Sequence, residues 1–228
     1  MRQNITTPAN HDTPTPAPAE VLHEYVPLDE RQIHGVTFDG KSVWFARDDE
    51  VVAFDPNSGQ VARRLPIPGA DAGTAFDGQH LYQLAKGEIL VIRPDDGQIV
   101  RRLPAPGKGE DSGMAWADGY LWIGQCYGAR IHKVDAATGE VVKTLTSDRF
   151  VTGVTVVDGQ LWHGAAGDDK PSELRRLAAD GTPEEVLAVP AAMIAGVEAD
   201  GHGRFWCAGE QGKLRLVRRK PVDKSPAA

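Results

Sequence analysis

The chain has 228 residues, 41% hydrophobic, 25% charged and 7% aromatic, enough to bury a substantial core as one domain or two small ones and incompatible with disorder throughout. Its 25 Lys and Arg face 32 Asp and Glu, a net charge of -7, which provides no broad attraction for nucleic acid or anionic lipid. No stretch approaches the ~20 consecutive apolar residues of a membrane helix and residues 1–20 hold no apolar signal core, so neither membrane nor nucleic acid is an expected partner and the expected location is cytoplasmic.

Residues 1–20, MRQNITTPANHDTPTPAPAE, are rich in Pro, Thr and Ala and have little to bury, which predicts a disordered N-terminal arm. The segment VLHEYVPL (21–28) then reads as a strand. From residue 34 onward the chain repeats. Asp-Gly pairs stand at Asp39-Gly40, Asp77-Gly78, Asp118-Gly119, Asp158-Gly159 and Asp200-Gly201, spaced by 38, 41, 40 and 42 residues. Each pair is followed by an aromatic (Trp44, Tyr82, Trp122, Trp162, Trp206) and preceded by a glycine (Gly35, Gly73, Gly113, Gly153, Gly196).

Within a unit, GVTFDGKSVWFA predicts strand, hairpin, strand, and EVVAFDPNSGQVARRLPIP a third strand, a turn and a fourth. The second and third units keep this order. About 40 residues with four strands is the period of a β-propeller blade. The fifth unit, GVEADGHGRFWCAGEQGKLRLVRR, ends after three strands, and residues 21–28 can supply the fourth. The expectation is an all-β, five-bladed propeller over residues 21–219, four antiparallel strands per blade, its last blade closed by the N-terminal strand, with a flexible tail at 220–228. Cys126 and Cys207 are far apart and lack CxxC spacing, so neither a disulfide framework nor a zinc knuckle is expected.

In such a blade the turns between strands one and two and between three and four share one end of the ring. Here that end is built from short turns (Asp-Gly, DPNSG, PDDG, DAATG), whereas the opposite end has longer, individual loops. Loops that vary on a rigid scaffold are where a site is expected.

Aligning the units isolates polar residues that replace small or apolar ones. Before the repeated glycine stand His34, Ala72, Ser112, Thr152 and Ala195; after the aromatic stand Phe45, Gln83, Ile123, His163 and Cys207; two residues past the glycine stand Thr37, Ala75, Ala115, Thr155 and Glu198. Ring symmetry puts equivalent positions at similar height, so His34 and His163 are expected to converge as proton-transfer or metal-binding groups, since imidazole titrates near pH ~6.5. Glu198 is expected to orient them or act as base. Gln83, Asp111 and Tyr127 are candidate substrate contacts, joined by Cys126 and Arg130 in GQCYGAR, where a nearby cation could favour a thiolate. Acidic loop residues Asp71, Glu110, Asp168 and Asp169 could hold an amine or cation. His23, His80, His132 and His202 are expected at the surface. No cofactor is required by these residues, and a divalent metal is left open.

The runs HGVTFDGKSVWFA, HLYQLAKGEILVIRPDDGQIV and LWIGQCYGARIHKVDAATGEVV resemble the glutamine cyclotransferase family, five-bladed propellers that cyclise N-terminal glutamine, and more distantly the streptogramin lyase propellers. The resemblance spans residues 34–217. Where the cyclotransferase pattern has Gln-Gly opening the first blade, a Glu after the next aromatic step and Glu-Gly opening the following blade, this chain has His34-Gly35, Phe45 and Ala72-Gly73. The resemblance implies a small-molecule enzyme of the cyclotransferase or lyase kind using acid/base chemistry at the axial mouth. The alternative is a non-catalytic propeller binding a ligand or protein through the same loops.

Overall fold

The computed structural model describes residues 5–6, 13–166, 171–191 and 193–221. The expected C-terminal tail and the Asp168-Asp169 pair fall largely or wholly outside them. The two-residue strand β1 (Ile5–Thr6) and the long strand β2 (Ala17–Tyr25) precede the repeats. The first repeat forms β3 (Val36–Phe38), β4 (Val43–Arg47), β5 (Glu50–Asp55) and β6 (Gln60–Pro66), and the second forms β7 (Thr74–Phe76), β8 (Leu81–Ala85), β9 (Glu88–Ile92) and β10 (Ile99–Pro104). The third gives β11 (Asp111–Ala117), β12 (Tyr120–Gln125), β13 (Arg130–Asp135) and β14 (Val141–Thr146). The fourth gives β15 (Phe150–Val157), β16 (Gln160–Ala166), β17 (Glu173–Leu177) and β18 (Pro183–Ala188), and the last gives β19 (Ile194–Ala199), β20 (Arg204–Gly209) and β21 (Leu214–Arg219).

Each of the first four repeats is an antiparallel sheet of four strands in sequence order. β19, β20 and β21 take β2 as their fourth strand, antiparallel, with Val21 opposite Val217 and Tyr25 opposite Leu214. The protein is therefore an all-β propeller of four-stranded antiparallel sheets.

β2 begins at Ala17, inside the stretch expected to be a disordered arm, and so corrects that boundary. Its first residues run alongside β18 in parallel, Ala17 opposite Leu187 and Pro18 opposite Ala188, covering backbone groups that the outer strand would otherwise leave unpaired. Ile5–Thr6 likewise pairs in parallel with β14.

The repeated glycines explain the close approach of the inner strands. A methyl group on Gly35 would lie 2.6 Å from Thr74 N; on Gly73, 2.5 Å from the Gly113 carbonyl carbon; on Gly113, 2.5 Å from Gly153 Cα; on Gly153, 2.5 Å from Val197 N; and on Gly196, 2.9 Å from Val36 N. The glycines thus form a circuit in which each inner strand rests on the backbone of the next and β19 rests on β3. Farther out, an apolar cluster fills each interface. Trp44 and Leu65 pack with Leu81 and Ile92, Tyr82 and Ile89 with Leu121 and Val134, Ile131 and Leu145 with Val154 and Leu177, Trp162 and Leu174 with Phe205 and Val217, and Trp206 and Leu216 with Phe45 and Phe54. At roughly 1.5–3 kcal/mol for each large side chain buried, these interfaces dominate stabilisation. Four of the repeated aromatics, Trp44, Tyr82, Trp162 and Trp206, are buried core residues, and Trp122 packs partly buried against the core.

Candidate active site at the axial mouth

The chain before each repeated glycine enters the ring from the end bearing the individual loops. Because the glycines bring the inner strands together, the preceding residues surround one opening. His34, Ala72, Ser112, Thr152 and Ala195 all line a single cleft of about 330 Å³, together with Gln32, Asp71, Asp111, Cys126, Tyr127 and Met193. This size lies in the range of small-molecule sites.

Asp111 opens β11. Its Oδ1 accepts a hydrogen bond from Gly107 N at 2.8 Å, whereas Oδ2 is buried without a partner among the described residues. Burial raises the pKa of this carboxyl, against backbone hydrogen bonds that pull it down. Thr152 Oγ1, in a residue lining the cleft, is a second buried polar atom without a hydrogen-bond partner among the described residues. Ser112 Oγ is committed, donating to Val151 O at 2.7 Å. His34 stands across the ring order from these groups, partly exposed, with Nε2 3.4 Å from Asp48 Oδ1. Tyr127 projects at the rim, 81% exposed, its ring edge-on to Phe150 with centroids 5.7 Å apart. Asp71 is exposed and also lines the cleft. The charged acceptors on this surface are the carboxylates of Asp71 and Asp111, which suits a ligand carrying an amine or another hydrogen-bond donor.

Several expected site residues lie elsewhere. The position after the repeated aromatic points into the interfaces between sheets: Phe45, Gln83, Ile123, His163 and Cys207 are all buried at 0–1% exposure. Gln83 is consequently a cross-link, accepting from Thr74 Oγ1 at 2.7 Å and donating to Ala72 O at 3.1 Å and Leu84 O at 2.8 Å, with no group left for substrate. His163 lies opposite Arg175 on β17 and does not meet His34 at the cleft. Its Nδ1 bonds Gly164 O at 2.9 Å and its Nε2 has no partner among the described residues, and burial pushes the imidazole down to about 4 and keeps it neutral. Beside it, Arg175 pairs with Glu173 at 2.9 Å and Asp148 at 2.5 Å, while Arg149 reaches Glu173 at 2.9 Å.

Glu198 is two residues past Gly196, farther along the inner strand and away from the cleft-lining residues. Its Oε2 accepts from Thr155 Oγ1 at 3.3 Å, and burial pushes its carboxyl up to about 8. Arg130 is exposed on β13 and does not line the cleft. Cys126 does line it, but burial raises its thiol pKa, opposite to the thiolate expected. Cys207 is buried and pushed up to about 12. His132 is also buried, bonding Thr144 Oγ1 through Nδ1 at 2.9 Å, contrary to the surface position expected. Among the described residues no group of three or more His, Cys, Asp or Glu side chains is placed to hold a metal ion. Thr152 and Ser112 escaped the sequence reading as site residues because small polar side chains there looked like the repeat's ordinary variation.

No helix among the described residues is long and apolar enough to cross a membrane. No protein-family model matches the chain, and no curated protein matches it. Among solved structures, the glutaminyl cyclase of Myxococcus xanthus is similar with a TM-score of 0.75 at 18% identity, covering 97% of this chain and 100% of that one. A catalytically inactive virginiamycin B lyase from Staphylococcus aureus, solved with quinupristin, gives 0.53 at 18% identity, covering 82% and 66%. The WD40 propeller domain of Doa1 gives 0.55 at 13% identity, covering 89% and 97%. These likenesses speak to architecture, since fold and chemistry are separable. The chain is a β-propeller whose fold resembles that of a glutaminyl cyclase.

Proposed function

We propose that the axial mouth is the active site of a small-molecule enzyme of the cyclotransferase or lyase kind, set in a ring of five blades whose last is closed by β2. The circuit of glycines, returning from Gly196 to Gly35, supports the blade count. The observation that carries the functional reading is the Asp111 carboxyl, with Oδ1 held by Gly107 N and Oδ2 buried and unpaired on the cleft wall. A fixed carboxyl with one uncommitted oxygen and a raised pKa is suited to binding an amine and taking its proton. In this reading His34 returns a proton to the leaving group, Thr152 bonds the substrate, and Tyr127 covers it. A ring-closing acyl transfer fits these parts: the substrate amine attacks its own amide carbonyl, the new C–N bond replaces the old one, and ammonia departs with the proton from His34.

The experiment is a screen of amino-acid amides and N-terminal glutamine peptides for ammonia release, with thermal shift read in parallel. Turnover that falls at least a hundredfold in Asp111→Asn, with melting temperature unchanged, supports the assignment. Turnover unchanged in both Asp111→Asn and His34→Ala overturns it. Stabilisation by a compound that is never consumed would instead favour a propeller that binds without catalysis.

A further inference from the structure

The end of the ring opposite the mouth carries the Asp-Gly hairpins, and there the hydrogen bonding departs from the repeat. In the first hairpin Asp39 Oδ1 accepts from Lys41 N at 2.8 Å and Ser42 N at 2.7 Å, leaving Oδ2 to accept from Trp44 Nε1 at 2.7 Å. The second repeats this: Asp77 accepts from Gln79 N, His80 N and the Tyr82 hydroxyl at 2.7, 2.6 and 3.1 Å. The third and fourth are tighter turns, with Asp118 and Asp158 in the left-handed region at φ 50° and 52°.

The last hairpin has one residue more between the aspartate and the repeated aromatic than the first two. Asp200 Oδ1 accepts from His202 N at 2.8 Å and Arg204 N at 3.2 Å, but Oδ2 is taken by Arg204 Nε at 2.5 Å. Among the described residues, Trp206 Nε1 is left buried without a partner in a residue only 4% exposed. Trp162 Nε1, above a tight turn, is also unpaired, but its ring is packed on Phe205 with centroids 5.0 Å apart. Trp206 instead forms part of the wall of a cleft of about 500 Å³ where the last sheet meets the first.

Tyr25, Phe38 and Leu216 complete the apolar part of that wall; the Tyr25 and Phe38 rings each lie 6.2 Å from Trp206. Lys41, His23 and His202 line the same cleft and are exposed. The one carboxylate among the lining residues, Asp200, has both oxygens occupied, so a cationic ligand would find no free acceptor charge here. A ligand with its own acceptors would meet the Lys41 ammonium, with aromatic faces beside it, and would reach the indole N–H, which the wall buries, through a small shift of the Trp206 ring toward the cleft. We propose that this cleft is a second binding site, independent of the axial mouth, for a planar aromatic anion. An aromatic carboxylate and an aryl phosphate share that chemistry.

The test titrates the full chain with 2-naphthoate, 2-naphthyl phosphate and neutral 2-naphthamide, following thermal shift and tryptophan fluorescence. The expected result is that at least one anion binds tenfold or more tightly than the amide. Lys41→Glu and Trp206→Phe should each weaken it about tenfold, while Asp111→Asn at the mouth leaves it unchanged. The stronger anion identifies carboxylate or phosphate as the source. Absence of binding by either anion, amide binding as tight as both, or loss of binding in Asp111→Asn overturns the proposal. Should Trp206→Phe fail to fold, the exposed Lys41→Glu decides: a Kd within twofold of the parent's also overturns it.

Discussion

Thr155 Oγ1 donates to Glu198 Oε2 at 3.3 Å while accepting from Ala199 N at 3.0 Å, so the hydroxyl that reaches the Glu198 carboxyl also holds the backbone of the same strand. One neutral hydrogen bond does not offset the desolvation of a carboxylate, and burial pushes Glu198 up to about 8. Between the unfolded value near ~4.3 and this folded value, the folded chain holds a proton that the unfolded chain releases. Stability from this group is therefore complete at acid pH and declines as pH rises toward 8. Thermal melts of Glu198→Gln at pH 5, 6.5 and 8 should gain on the parent protein as pH rises; parallel curves would refute the protonated carboxyl.

His163 gives the opposite slope. Burial pushes its imidazole down to about 4, so between there and ~6.5 the unfolded chain binds the extra proton. Its contribution is intact above pH ~6.5 and is lost as pH falls toward 4. His163→Leu removes a buried nitrogen that has no partner, and Phe45 and Ile123 already fill equivalent positions. The variant should match or exceed parental stability at pH 7 and exceed it by about 1–2 kcal/mol at pH 5. Denaturant unfolding at the two pH values measures this, and a loss larger at pH 5 than at pH 7 would contradict it.

Gly113 and Gly119 should respond differently to alanine. A methyl on Gly113 would sit 2.5 Å from both Gly153 Cα and Val154 N, backbone that cannot yield without opening the ring. On Gly119 it would meet nothing within 4 Å, and the cost is the left-handed backbone alone, φ 81°. Gly113→Ala should cost more than ~3 kcal/mol or prevent folding, and Gly119→Ala about 1 kcal/mol. Equal losses in urea unfolding would remove the glycine circuit as the reason for the repeat.

Gln83→Leu should destabilise without altering the mouth. It strands the Thr74 hydroxyl and the Ala72 and Leu84 carbonyls that the amide now serves. A loss of about 2–4 kcal/mol is expected, with binding at the axial cleft measured by titration remaining within twofold of the parent's.

Sequence periodicity was a good guide to equivalence and a poor guide to direction. Aligning His34 with Ala72, Ser112, Thr152 and Ala195 grouped residues that do share one cleft. The same alignment put His163 with Phe45 and Gln83, and these do share a position, but it lies between sheets. A strand alternates its side chains, so shifting one residue along it exchanges one surface for another. The spacing of Asp from Trp in the hairpins held a further signal: the longer Asp200 to Trp206 interval marks where Arg204 displaces the indole from its aspartate.

By itself the sequence determined the strand order, the four-stranded repeat, the joining of the chain's two ends in one sheet and which end of the ring has individual loops, because these follow from local turn chemistry and apolar alternation. Only the tertiary structure decided which polar residues meet. Asp111 acquired its buried, unpaired oxygen and His163 its neutral burial from how the chain packs around them, and that desolvation has no counterpart in residue spacing.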